Sequence, residues 1–222
     1  MPETGTLLPG NDILAPIVAD YPRFQAFNVS QHTLDTVLDT ISSSAVEQPL
    51  NWMSRDGIAT AAETFVGYLM LDAWIGNTDR HHENWGFVEV RATKTRQVIA
   101  HLAPTYDHAS SLGRELLDSK RVERLNNNAV AAYAAKYRSA FYALVGDKKA
   151  LSPLDVFQVA ARRHPQAARV WQERLGAVSA ADTLGLFDRI PRERISEATI
   201  AFAQQILEIN QRRLLLLLEE LR

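Results

Sequence analysis

Thr60-Ala-Ala-Glu63, the apolar positions Phe65, Val66, Leu69, Met70, Ala73 and Trp74, then Gly76 and the polar run Asn77-Thr-Asp-Arg-His-His-Glu-Asn84 follow one another in that order. Thr60 and Glu63 have the spacing of a capping box, in which each side chain satisfies a free N–H at a helix start. The helix they open is apolar over a wide face, so it belongs largely inside the molecule. Gly76 supplies the left-handed residue that ends it. The polar run is therefore predicted to emerge directly from the end of a buried helix.

Immediately downstream, Trp85 to Val90 and Gln97 to Leu102 read as two strands joined by the polar stretch Arg91–Arg96. Strands of about six residues, roughly 20 Å each, carry the chain out and back. The return delivers Ala103-Pro-Thr-Tyr-Asp107-His-Ala-Ser-Ser beside residues 77–84, which makes a composite site plausible on topology alone.

Upstream, Leu34, Val37, Leu38 and Ile41 recur at i, i+3, i+4 and i+7, so residues 33–42 are expected to form a short amphipathic helix. The first 30 residues hold Pro2, Pro9, Pro16, Pro22, Gly5 and Gly10 with little period and are expected to be extended and irregular. From about residue 114 the pattern is helical. Ser152-Pro153-Leu-Asp155 and Ser179-Ala-Ala-Asp182 are helix starts, and Ser196 opens a terminal helix of about 25 residues. The fold expected is mainly α with one small β-hairpin bearing the polar loops.

Composition excludes several chemistries. With no cysteine there is no thiolate metal site, disulfide or cysteine nucleophile. The five leucines from Leu214 to Leu218 are far short of the ~20 apolar residues of a membrane span. No signal-peptide pattern opens the chain, so a cytoplasmic location and no membrane partner are expected. Residues 1–110 carry 6 basic against 13 acidic side chains, a net of −7, whereas residues 111–222 carry 18 against 13, a net of +5. The pI near 6.3 lies well below the roughly 9 of a dedicated nucleic-acid binder, so no direct nucleic-acid binding is expected.

Asp79 and Asn84 stand five positions apart, and Asp107 returns across the hairpin. Phosphoryl transfer needs a group to orient the attacking hydroxyl and oxygen ligands to hold Mg²⁺ against the phosphates. Asp79 suits the first role. Asn84 and Asp107 are hard oxygen donors of the few-ligand kind that Mg²⁺ takes.

Gly76-Asn-Thr-Asp-Arg-His81, continuing to Asn84, and Leu102-Ala-Pro-Thr-Tyr-Asp107-His-Ala-Ser-Ser-Leu112 resemble the catalytic and metal-binding segments of the HipA-like serine/threonine kinases. These are bacterial toxin-type kinases related to protein and phosphoinositide kinases. The resemblance is close over residues 76–112 and extends to the helical remainder only as pattern. It implies a kinase C-terminal lobe over residues 31–222 preceded by a hinge-like segment, residues 1–30. It implies Asp79 as catalytic base, Asn84 and Asp107 as Mg²⁺–ATP ligands, and His81 and Tyr106 as neighbours of the nucleotide. The implied partners are a protein substrate and, as components of a toxin–antitoxin system, a separate N-lobe or antitoxin protein.

The sequence departs from a whole kinase in one respect. No G-x-G-x-x-G precedes Asp79, and the first lysine is Lys94, past the catalytic loop, whereas a kinase covers the phosphates with a glycine-rich loop and pairs them with a strand lysine. Two readings result: ATP- and Mg²⁺-dependent transfer to protein Ser/Thr, or a non-catalytic lobe that pairs with a second polypeptide. On the second reading, Leu7, Leu8, Ile13, Leu14, Ile17 and Val18 are expected beside an uncovered apolar cleft. A metal-dependent phosphohydrolase built on His81, His82 and Glu83, or on His101, Asp107 and His108, is a third class. Adjacent histidines rarely point at one ion, and no H-E-x-x-H spacing supports it.

Overall fold

A computed structural model describes residues 5–43, 45–53, 55–91 and 97–220. In chain order the elements are β1 (Gly5–Pro9), α1 (Gly10–Leu14), α2 (Leu34–Ile41), β2 (Val46–Glu47), α3 (Ala61–Ile75), β3 (Gly86–Arg91) and β4 (Val98–Leu102), then α4 (Asp118–Asn126), α5 (Val130–Ala134), α6 (Pro153–Arg163), α7 (Pro165–Gly176), α8 (Ala180–Phe187) and α9 (Glu197–Glu220). The expected connection at residues 92–96 of the hairpin lies outside the described residues.

α3 is the axis of the fold. Thr60 Oγ1 accepts the Glu63 N–H at 3.2 Å, and Glu63 accepts the Thr60 N–H at 2.9 Å. Phe65, Val66 and Leu69 are at most 1% exposed because α6, α7 and α9 enclose the helix. Side-chain hydrogen bonds fix these neighbours in register: Trp171 Nε1 to Glu63 O at 2.8 Å, Trp74 Nε1 to Leu207 O at 3.2 Å and Asn210 Nδ2 to Trp74 O at 3.0 Å. Gly76 ends α3 at φ 66°, and a Cβ there would meet the Tyr137 ring at 2.3 Å. Both the backbone conformation and the space thus demand glycine at the point where the polar loop begins.

The hairpin forms with β3 and β4 antiparallel, Phe87 opposite Leu102. It is not alone: the sheet has four strands in the order β1-β3-β4-β2. β1 corrects the expectation that residues 1–30 are irregular, since Gly5 pairs with Val90 and Pro9 with Gly86. Gly5 and Pro9 read as breakers, but they stand at the two ends of an edge strand, where a missing N–H is tolerated. The chain then approaches the polar loop closely. The Gly10 and Asn11 N–H groups donate to Trp85 O and His82 O at 2.8 and 2.9 Å, and a Cβ on Gly10 would lie 2.4 Å from the Trp85 ring.

The apolar residues of this segment divide. Ile13 and Leu14 are buried in the main core, with Leu8 and Val18 packed against it, whereas Leu7 and Ile17 are 50% and 59% exposed. Two of the six apolar residues expected beside an uncovered cleft thus stay exposed, while α1 turns Ile13 and Leu14 inward. In α9 the leucine run is also two-sided: Leu214 is fully buried and Leu216 is 53% exposed. No described helix is long and apolar enough to cross a membrane.

Candidate active site

A carboxylate inside a buried helix must find a partner there, because an unpaired buried charge is very costly. Asp72 lies in the apolar last turns of α3 at 4% exposure. Its partner is Arg80, 1% exposed, which donates from Nε to Asp72 Oδ2 and from Nη2 to Asp72 Oδ1, both at 2.7 Å. Such a two-pronged pair fixes the planar guanidinium in orientation as well as in position. Asn77 Nδ2 adds a bond to Asp72 Oδ1 at 2.9 Å.

The rest of the Arg80 fork holds the site together. Nη1 donates to Asn84 O at 2.6 Å and to Tyr106 O at 3.1 Å, while Nη2 reaches Thr105 Oγ1 at 2.8 Å. One buried nitrogen thus binds the main chain beside each of the two residues expected to hold the metal. Further bonds join the same two loops: Thr78 N–H to Ser110 O at 3.1 Å, and the Tyr106 hydroxyl to Glu83 O at 2.8 Å. The two loops expected to meet across the hairpin are therefore joined, and they carry Asp79, His81, Asn84, Tyr106 and Asp107.

Asp79 is held but not consumed. Its N–H donates to Asn77 Oδ1 at 3.1 Å, and its carbonyl accepts Asn84 Nδ2 at 2.7 Å. Ser110 Oγ donates to Asp79 Oδ2 at 3.2 Å, and His81 Nε2 lies 3.7 Å from Oδ1. The side chain remains 25% exposed, so the carboxylate is oriented and still reachable. Asn84, with its amide nitrogen committed to Asp79, keeps its amide oxygen for another ligand. Asp107 adopts φ 51°, a left-handed conformation that Asp tolerates, and stands exposed. Burial pushes the neighbouring Tyr106 phenol up to about 12, so it stays a neutral donor.

Among the described residues no group of three or more His, Asp or Glu converges as a metal cluster. What the loops offer is one amide oxygen and one carboxylate, a donor set that fits Mg²⁺, which retains several waters and takes few protein ligands. His81 and His82 diverge, their rings 6.1 Å apart and inclined at 79°. His81 stays with Asp79. His82 turns inward, where its Nδ1 meets the Tyr21 hydroxyl at 2.8 Å. His101 bonds to Gln48 O and His108 to Thr105 Oγ1. A cavity of about 770 Å³ lies by β2 and the start of α3 and contains none of the five candidate residues.

A buried polar floor supports the loop. His32 Nδ1 bonds to Ala140 O at 2.9 Å, and its Nε2 accepts the Trp85 indole N–H at 3.0 Å. Burial pushes His32 down to about 3, so it is neutral in the fold but protonates near 6.5 when unfolded. The unfolded chain then binds the extra proton, and stability falls as pH drops below about 6.5, at about 1.4 kcal/mol per pH unit from this group. Urea midpoints between pH 7 and pH 5 should show that slope, flattened in His32→Gln. A slope unchanged in the variant would remove His32 as its source.

Sequence reading missed Asp72, Arg80 and Ser110 as site-builders. The signal for the first two was present: a lone carboxylate in the run Leu69-Met-Leu-Asp72-Ala-Trp74, followed by an arginine eight residues on.

A helical body, a small sheet and two stitched loops bearing Asp79, Asn84 and Asp107 make up a kinase-like fold. Among solved structures, the chain is similar to a proinflammatory kinase of Helicobacter pylori, CtkA, with a TM-score of 0.64 at 18% identity. The superposition covers 98% of this chain and 71% of that one. No protein-family model matches the sequence, and no curated protein matches it.

Proposed function

We propose that this chain is the catalytic-loop lobe of a HipA-like serine/threonine protein kinase, transferring the γ-phosphoryl group of ATP to a protein hydroxyl with Mg²⁺. The observation that carries the reading is the Arg80 fork, which binds the main chain at Asn84 and at Tyr106 from one buried position. In this role Asp79 accepts the proton of the attacking hydroxyl, oriented by Ser110 and flanked by His81. Asn84 and Asp107 would hold Mg²⁺ through their side-chain oxygens. Bound there, the ion would supply charge neutralisation of the phosphates. His81 and Tyr106 border the nucleotide. The chemistry balances as one bond formed from the acceptor oxygen to phosphorus and one broken to ADP, the hydroxyl proton passing to Asp79.

The alternative, a lobe completed by a separate N-lobe or antitoxin protein, rests on the missing lysine and glycine loop ahead of Asp79. Both readings share one test. Calorimetric titration with Mg²⁺–ADP should show weak binding, abolished by Asp107→Ala and by withholding Mg²⁺. Unchanged affinity in Asp107→Ala would take this residue out of the site.

A further inference from the structure

Beside the catalytic loop, on the far side of His81, is a second cavity of about 280 Å³. It is smaller than the roughly 300–1,000 Å³ of typical small-molecule sites and suits one side chain or one phosphate group better than a nucleotide. Its wall carries Arg138, Lys148 and Lys149 and no acidic residue. None of these three cations makes an ion pair among the described residues; Arg138 spends Nη1 on the carbonyls of Tyr137 and Ala135. In a chain with net charge −2, three cations gathered without a carboxylate partner are an electrostatic vacancy.

Two further observations bear on this recess. His82 lines the same cavity at 1% exposure, and its Nε2 is buried without a hydrogen-bond partner. Its Nδ1 is paired with the Tyr21 hydroxyl at 2.8 Å. The cavity also shares His81 and Thr78 with the loop that carries Asp79, so a chain whose hydroxyl reached Asp79 would pass its mouth. Phe27 lines the cavity at 61% exposure, in edge contact with His81. An exposed aromatic side chain on a charged recess suits a polypeptide more than a free ion.

We infer that the Arg138–Lys148–Lys149 cavity is an acceptor-docking pocket that takes an anionic side chain, a carboxylate or a phosphorylated residue, next to the Ser or Thr presented to Asp79. The inference rests on the kinase reading for its role and on the cavity alone for its binding.

The test uses the full chain and short fluorescent peptides with one serine flanked by aspartates, by phosphoserine or by alanines, in anisotropy titrations at low ionic strength without nucleotide. The anionic peptides should bind roughly tenfold more tightly than the alanine peptide, as two partly exposed charge pairs provide. Lys148→Ala with Lys149→Ala should erase the difference, and Lys148→Glu with Lys149→Glu should reverse it. Comparing the aspartate and phosphoserine arms identifies the anion. Equal affinity for all three peptides, or an anionic preference that survives both double variants, would overturn the pocket. The two readings fail separately. Anion preference without phosphoryl transfer, even with a lysine-bearing N-lobe supplied, defeats the kinase reading and leaves the pocket. Transfer indifferent to flanking acids defeats the pocket and leaves the kinase.

Discussion

Asp72→Ala should lower folding stability by about 3–5 kcal/mol, because it leaves the guanidinium of Arg80 buried and unpaired. Arg80 is 1% exposed, and Asp72 supplies both acceptors of its two-pronged bond. For a chain of this length each kcal/mol moves the melting temperature by about 2–4 °C, so a drop of roughly 6–20 °C should appear in thermal denaturation. Arg80→Lys should recover little, since an ammonium cannot reach Asp72, Asn84 O, Tyr106 O and Thr105 together. The informative companion is Asp72→Leu with Arg80→Met. Replacing both charges by apolar groups restores stability in many proteins, yet here it removes the fork by which Arg80 binds both loops. This double variant should melt near the parent and still lose Mg²⁺–nucleotide binding. A double variant that keeps nucleotide binding would show that Arg80 supports the fold and not the site.

This pair also marks where sequence reading stops. The helix starts at Thr60, Ser152 and Ser179, the Gly76 terminator and the β3–β4 hairpin were legible because each is decided within a few residues. The meeting of residues 77–84 with residues 103–112 was legible because a hairpin must return its chain. β1 was not: its hydrogen bonds go to β3, some 80 residues away, and nothing in Gly5-Thr-Leu-Leu-Pro9 states that β3 has a free edge. The burial of Ile13 and Leu14 depends likewise on where α1 lands. The contrast between Asp79, partly exposed, and Asp72, buried, is a tertiary fact that two identical letters cannot carry. The cavity beside His81 joins residues 27, 82, 138 and 149, and no local pattern links them.

Asp79→Asn should reduce phosphoryl transfer by about 10²–10⁴-fold, the usual contribution of a positioned proton acceptor. The substitution is nearly isosteric and spares the scaffold. The two main-chain bonds at this position, from Asp79 N–H to Asn77 and from Asn84 to Asp79 O, do not involve the side chain. An amide oxygen can still accept from Ser110 Oγ, as Oδ2 does now. The melting temperature and Mg²⁺–ADP affinity should therefore match the parent while the rate collapses. The lost capacity is that of taking a proton. The measurement is phosphate incorporation into protein Ser or Thr, read by mass spectrometry, with this chain alone and with a lysine-bearing N-lobe supplied in cis or in trans. Transfer by the chain alone should be very slow, because no lysine or glycine loop ahead of Asp79 covers the phosphates. Transfer by the completed protein should be readily measured and Asp79-dependent. Robust phosphorylation by the unaccompanied chain would defeat the two-part reading, and full activity in Asp79→Asn would remove the carboxylate from the chemistry, leaving Ser110 and His81 grouped around a residue that does not react.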